Sequence, residues 1–169
     1  VPVDGPLPDG VLGEVRIHQY IYRTRPEAGG VVRFMGQNVM ALAALAHSPK
    51  PRHGFGTYFA PGVPLWNDVQ LIRDDEKAKG VVETMGTNAG VLMRGNGAVT
   101  AGDNLIEAVV LAWYLEDCCR VELEALKAGL ADTAPTVSLE AAKARATKAG
   151  MIFERMWEHL TSGDPELSR

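Results

Sequence analysis

Between Asn104 and Ala128 runs a helical stretch whose first half, from Ala108 to Leu115, is apolar on nearly every face. A helix without a polar side has to lie inside a core, so the other elements must pack around this one. Asn104 and Glu107 stand at capping-box spacing to open it, and Gly129 supplies the stop. The apolar run is far shorter than the roughly 20 residues that cross a bilayer, and no basic-then-apolar leader opens the chain. A soluble, cytoplasmic protein is the expectation. Cys118 and Cys119, the only cysteines, are helix neighbours whose side chains diverge by roughly 100° and do not readily pair. Their arrangement fits a reducing compartment.

The other elements alternate along the chain. Residues 1–10 are rich in proline, glycine and aspartate and read as a leading loop. From Val11 to about Arg25, Val15, His18 and Tyr22, with Ile17 and Ile21 beside them, recur at helical steps until Pro26 ends the pattern. Gly29 and Gly30 release the chain into a β-rich segment, Val31 to Met35, followed by a helix from Gln37 to Ala46. Ser48 to Pro64 is a long connection holding His53, Phe55, Tyr58 and Phe59, expected to include a strand and to be functional or at an interface.

Asp74 to Met85 is a helix with acids in its first turn and Gly86 after it. Ala89–Met93 and Ala98–Thr100 are β-rich and joined by the tight turn Arg94-Gly95-Asn96-Gly97. One last helix is expected from Ser138, its cap, to about Leu160, with Ile152, Phe153, Met156, Trp157 and Leu160 as its apolar stripe. The 169 residues make one domain without internal repeats, and the alternation predicts an α/β or α+β sandwich. With 17 Lys+Arg against 21 Asp+Glu, no basic footprint for nucleic acid or anionic membrane exists.

Three segments carry a resemblance. They are Gly13-Glu14 with His18-Gln19-Tyr20-Ile21-Tyr22 and Arg25-Pro26-Glu27; then Val31 to Gly36; then Val91 to Gly102 with Glu107-Ala108 and Tyr114-Leu115-Glu116. In this order and spacing, over about residues 10–130, the chain resembles the class II aldolase and adducin-head family. Gly62-Val63-Pro64 and the helix begun at Asp74 look most like its decarboxylase-like branch. The resemblance implies a central, mainly antiparallel sheet flanked by helices, and a homotetramer with sites between subunits. It also implies that the family's N-terminal third, which anchors substrate, lies outside these residues.

The family's divalent metal is held by three histidines, and the matching positions here are Arg33, Met35 and Asn96. An arginine has no lone pair to give, a thioether is soft, and a neutral amide binds weakly. No metal and no cofactor are therefore expected. Glu14 falls on the family's acid/base glutamate; alternatively it is a first-turn glutamate facing the helix dipole. Arg33 either supplies the positive charge that an enolate or carboxylate needs, or fills the vacated space in a salt bridge with Glu14. Asn96 either presents its amide to a ligand or tolerates left-handed backbone. His53 and Tyr58 are candidate substrate-binding residues that reach a neighbouring subunit, or simply pack. His18 is read as a satisfied core or interface histidine, and His47 is given no role.

Two functions follow. One is a metal-independent, lyase-like enzyme acting on a small carboxylated or carbonyl substrate, aromatic acids among the candidates. Decarboxylation, retro-aldol cleavage, dehydration, epimerisation and cyclisation share the same enolate. The other is a non-catalytic scaffold on the same frame, which requires Glu14 and Arg33 to pair and to leave no open pocket.

Overall fold

Among the residues described by the computed structural model, 1–166, short strands β1 (Gly30–Phe34), β2 (Leu65–Trp66), β3 (Gly90–Met93) and β4 (Gly97–Gly102) form one sheet. Their order is β1-β4-β3-β2; β4 runs antiparallel to both β1 and β3, and β2 joins β3 in parallel. The β3–β4 hairpin closes through Gly95 and Gly97, at φ 68° and 83°, which residues with a Cβ rarely adopt. Asn96 between them is outside the left-handed region, so the backbone reason for an asparagine there does not apply.

Alternation along the strands divides the core in two. Val31, Val91, Met93, Val99 and Ala101 face α1 (Val15–Thr24) and α3 (Asp75–Met85), which contribute Ile17, Ile21, Val81 and Met85. Leu92 and Ala98 face the other layer, formed by α2 (Gln37–Ala44), α4 (Leu105–Lys127) and α6 (Ile152–Leu160). Every residue of β3 and β4 is buried because helices cover both faces. Each large apolar side chain sealed in this way contributes roughly 1.5–3 kcal/mol.

The cap expected at α4 is present, and α3 has one as well. Asp74 accepts a hydrogen bond from the Lys77 amide at 2.8 Å, and Asn104 accepts one from the Glu107 amide at 2.9 Å. Glu107 does not complete a capping box, because its carboxylate meets Lys148 Nζ at 2.8 Å. Cys118 and Cys119 are buried free thiols; burial pushes Cys118 up to about 12 and raises Cys119 as well. No helix among the described residues is long and apolar enough to cross a membrane.

Four expectations change. The first helix begins at Val15 rather than Val11, and β1 ends at Phe34, leaving Met35 beyond the strand and 54% exposed. The long connection holds a 3-10 turn, Gly54–Phe59; its strand, β2, lies just past Pro64, whose carbonyl accepts from Leu92 at 2.9 Å. The single C-terminal helix is two, α5 (Leu139–Arg145) and α6, separated where Gly150 and Met151 turn left-handed at φ 74° and 56°. The break carries Lys148 to Asp103 and Glu107 at 2.6 and 2.8 Å.

Two carboxylates on α4 organise its surroundings. Glu116 accepts from the amides of Asn38 at 2.8 Å and Val39 at 2.9 Å, capping α2 from outside because its own N-cap, Gly36, has no side chain. Glu122 is fully buried and takes Arg52 Nε at 2.7 Å, His47 Nε2 at 2.9 Å and the Lys50 amide at 3.2 Å. Burial alone would raise its pKa; these hydrogen bonds reverse that and hold it below the ordinary carboxylate value.

Candidate functional site

Glu14 occupies the N-cap position of α1, and its side chain makes no capping bond. One helical turn later His18 stands on the same face. Both line a half-open cleft of about 480 Å³, together with Arg33 from β1 and Arg73 from the segment that leads into α3. The floor is set by Arg33. Its Nη2 donates to the Asn96 main-chain oxygen at 3.3 Å and lies 3.8 Å from Met35 Sδ, while its Nε is buried without a hydrogen-bond partner. Among the described residues no carboxylate pairs with it, Glu14 included. The Glu14–Arg33 salt bridge, one of the two alternatives for Arg33, is absent; the guanidinium turns to the β3–β4 hairpin instead.

Burial lowers the pKa of His18, and the charge of Arg33 lowers it further. The ring is thus kept neutral, with one nitrogen donating and one accepting. Arg73 follows the fully buried Ile72 and packs closely on Gly13, where a Cβ would stand only 3.0 Å from the Arg73 Cα.

Asn96 is 5% exposed and directs its amide nitrogen to the carbonyls of Val69, Gln70 and Arg94, at 3.2 to 3.3 Å. The side chain fastens the segment before α3 to the hairpin, and it does not line the cleft. His53 and Tyr58 lie on the α4 side. His53 Nδ1 accepts from the Gly56 amide at 3.3 Å; its Nε2 is 3.0 Å from Asp117 Oδ2, without the alignment of a hydrogen bond. Tyr58 donates to the Thr147 carbonyl at 2.7 Å and stacks 5.5 Å from Tyr114, and burial raises its pKa. It borders a second cleft of about 410 Å³ with Arg25, Asn88, Glu107 and Lys148, near the Gly102 end of β4. Within one chain, Glu14 and Arg33 come together, whereas His53 and Tyr58 do not join them.

The three positions that would bind a metal do not suit one. Arg33 already places a permanent cation there, Met35 projects from beyond the strand as an exposed thioether, and Asn96 offers only a neutral amide oxygen, a weak ligand, on a side chain that does not line the cleft. No group of three or more His, Cys, Asp or Glu is arranged to hold an ion among the described residues.

Residues 2–123 match the family model described as "Class II Aldolase and Adducin N-terminal domain". The chain belongs to the class II aldolase and adducin family. A 3,4-dihydroxyphthalate decarboxylase of Terrabacter sp. (strain DBF63) is 32% identical over 125 residues, 69% of this chain and 51% of the relative. Decarboxylase NovR of Streptomyces niveus is 24% identical over 184 aligned positions, 99% of this chain and 66% of that protein. The crystal structure of an aldolase II superfamily protein from Pseudomonas syringae superposes with a TM-score of 0.74 at 21% identity, over 95% of this chain and 67% of that one. The chain thus spans about half the length of the Terrabacter relative. The decarboxylases among its relatives bear out the branch expected from Gly62-Val63-Pro64 and the helix begun at Asp74.

Sequence reasoning missed Arg73, whose link to the cleft is its long-range contact with Gly13. It also left His47 without its partner Glu122, on an element far along the chain.

Proposed function

We propose that the chain provides the reaction cleft of a decarboxylase-type lyase that acts, without a metal ion, on a small carboxylate bearing a neighbouring carbonyl or phenolic oxygen. One observation carries this reading: Arg33 presents a guanidinium to an open cleft with no counter-carboxylate, while Glu14 lines the same cleft unpaired. A scaffold that had merely filled its lost metal site would have neutralised Arg33 with Glu14.

In the proposed reaction the bond from the substrate carbon to its carboxylate breaks and carbon dioxide leaves. The electron pair moves to the neighbouring carbonyl, giving an enolate whose oxyanion faces Arg33. Glu14 then delivers a proton to the carbon and regains one from solvent, so the net change consumes one proton. Asn96 acts as a positioning residue, since its main-chain oxygen holds Arg33. A preorganised donor facing an oxyanion is worth roughly 10²–10³ in kcat. Retro-aldol or epimerisation chemistry would use the same groups, but the decarboxylase relatives favour loss of carbon dioxide.

The proposal includes a homotetramer, in which His53 and Tyr58 serve a neighbouring subunit's cleft. Light scattering that gives a monomer would remove that part.

The test is carbon dioxide release from a panel of hydroxybenzoates and β-keto acids, after dialysis against chelator. Turnover should survive chelation and fall about 10²–10³-fold in Arg33→Ala, and by at least about 10²-fold in Glu14→Gln. Full turnover in both variants overturns the reading. Activity that vanishes with chelator and returns with a divalent ion overturns metal independence.

A further inference from the structure

We infer that Arg73 is a specificity-determining residue that binds a second anionic group, so that the cleft selects small dianionic acids over monocarboxylates. The inference rests on the proposed function for the site but concerns recognition rather than reaction.

The position of Arg73 is fixed on both sides. Ile72, 1% exposed, is anchored between α1 and α3, and the main chain at Arg73 presses on Gly13, beside Glu14. A residue with a Cβ at position 13 would push the two segments apart. The acids that follow Arg73 are engaged elsewhere: Asp74 with Lys77, and Asp75 with Arg16 at 3.1 Å. Arg73 lines the cleft, and among the described residues no hydrogen bond or ion pair engages its guanidinium.

The charges then count themselves. Arg33 and Arg73 are two permanent cations lining one cleft, and His18 beside them is kept neutral by burial and by the charge of Arg33. A cleft with two fixed positive charges is matched by a ligand with two negative ones. Arg33 comes from the sheet and Arg73 from the loop before α3, so the two address separate groups on the ligand. Val11, Leu12 and Val15 line the same cleft and suit a hydrocarbon or aromatic body between those groups.

The experiment uses unreactive probes and needs no turnover. Benzoate, phthalate, isophthalate and terephthalate are titrated into the intact chain by calorimetry at low salt, the three dicarboxylates acting as rulers for the spacing. At least one dicarboxylate should bind about tenfold or more tightly than benzoate, a factor expected of one added charge-assisted contact. Arg73→Gln should abolish that preference by weakening dicarboxylate binding about tenfold more than benzoate binding, Arg73→Lys should keep part of it, and Arg94→Gln, outside the cleft, should leave it intact.

An undiminished preference in Arg73→Gln overturns the inference. So does an equal loss in Arg94→Gln, which would report only the general field of the protein. Failure of every acid to bind overturns it together with the proposed function. A preference that depends on Arg73 in a chain that releases no carbon dioxide would support the inference and count against the reaction alone.

Discussion

Arg33 and Asn96 are joined by a hydrogen bond, Nη2 to main-chain oxygen at 3.3 Å, between two positions that the resemblance matches to metal-binding histidines. The contact uses the backbone of Asn96, so its side chain is free for another task, the fastening of the segment before α3. Asn96→Ala should therefore cost stability, because a buried side chain loses its hydrogen bonds to the Val69, Gln70 and Arg94 carbonyls. About 1–3 kcal/mol is expected in urea unfolding; an unchanged midpoint would contradict the fastening role.

Glu122 ties α4 to the 47–52 segment through Arg52, His47 and the Lys50 amide. Removing one member of a buried ion pair leaves a charge without compensation, typically at about 3–5 kcal/mol. Glu122→Ala should show a loss of that order in equilibrium unfolding. Replacing both partners, Arg52→Met with Glu122→Leu, should recover most of it. A double variant as unstable as the single one would show that the cost lies in packing, not in the stranded Arg52 charge.

Gly36 and Glu116 form another testable pair. A Cβ at position 36 would collide with the Glu116 carboxylate, which caps α2. Gly36→Ala and Glu116→Gln should each cost about 0.5–2 kcal/mol, the range for a lost cap. Because both remove the same interaction, the double variant should cost little more than either alone. Simple additivity would count against a shared mechanism.

His18 makes stability depend on pH. Its pKa in the fold lies below the ordinary 6.5, through burial first and Arg33 second, so the unfolded chain binds the proton more readily. The contribution is fully present above pH 6.5 and is lost as pH falls from there through the folded pKa. His18→Gln should lose Tm less steeply than the parent protein over this window. Parallel Tm profiles would sink the assignment.

What the sequence made legible was local. Asn104 and Ser138 cap α4 and α5 as expected, since a cap depends on residues within one turn. The family, its sheet and the meeting of Glu14 with Arg33 followed from motif order. The α5–α6 break did not, because Ile152 to Leu160 carry a helical period whether or not Gly150 interrupts the path before them. Nor could the order of residues reveal that Tyr58 borders the opposite end of the sheet from Arg33, or that Arg52 and His47 converge on Glu122. Those outcomes depend on which strand end a loop returns to, and hydrophobic periodicity carries no information about it.

The adjacent thiols of Cys118 and Cys119 turn the central helix into its own reporter. Each is buried and held protonated, so an alkylating reagent modifies them only during excursions that open α4 from the sheet. The labelling rate, followed by intact mass, would thus time the loosening of the core in unmodified protein, and a bound acid that braces the cleft would slow the clock.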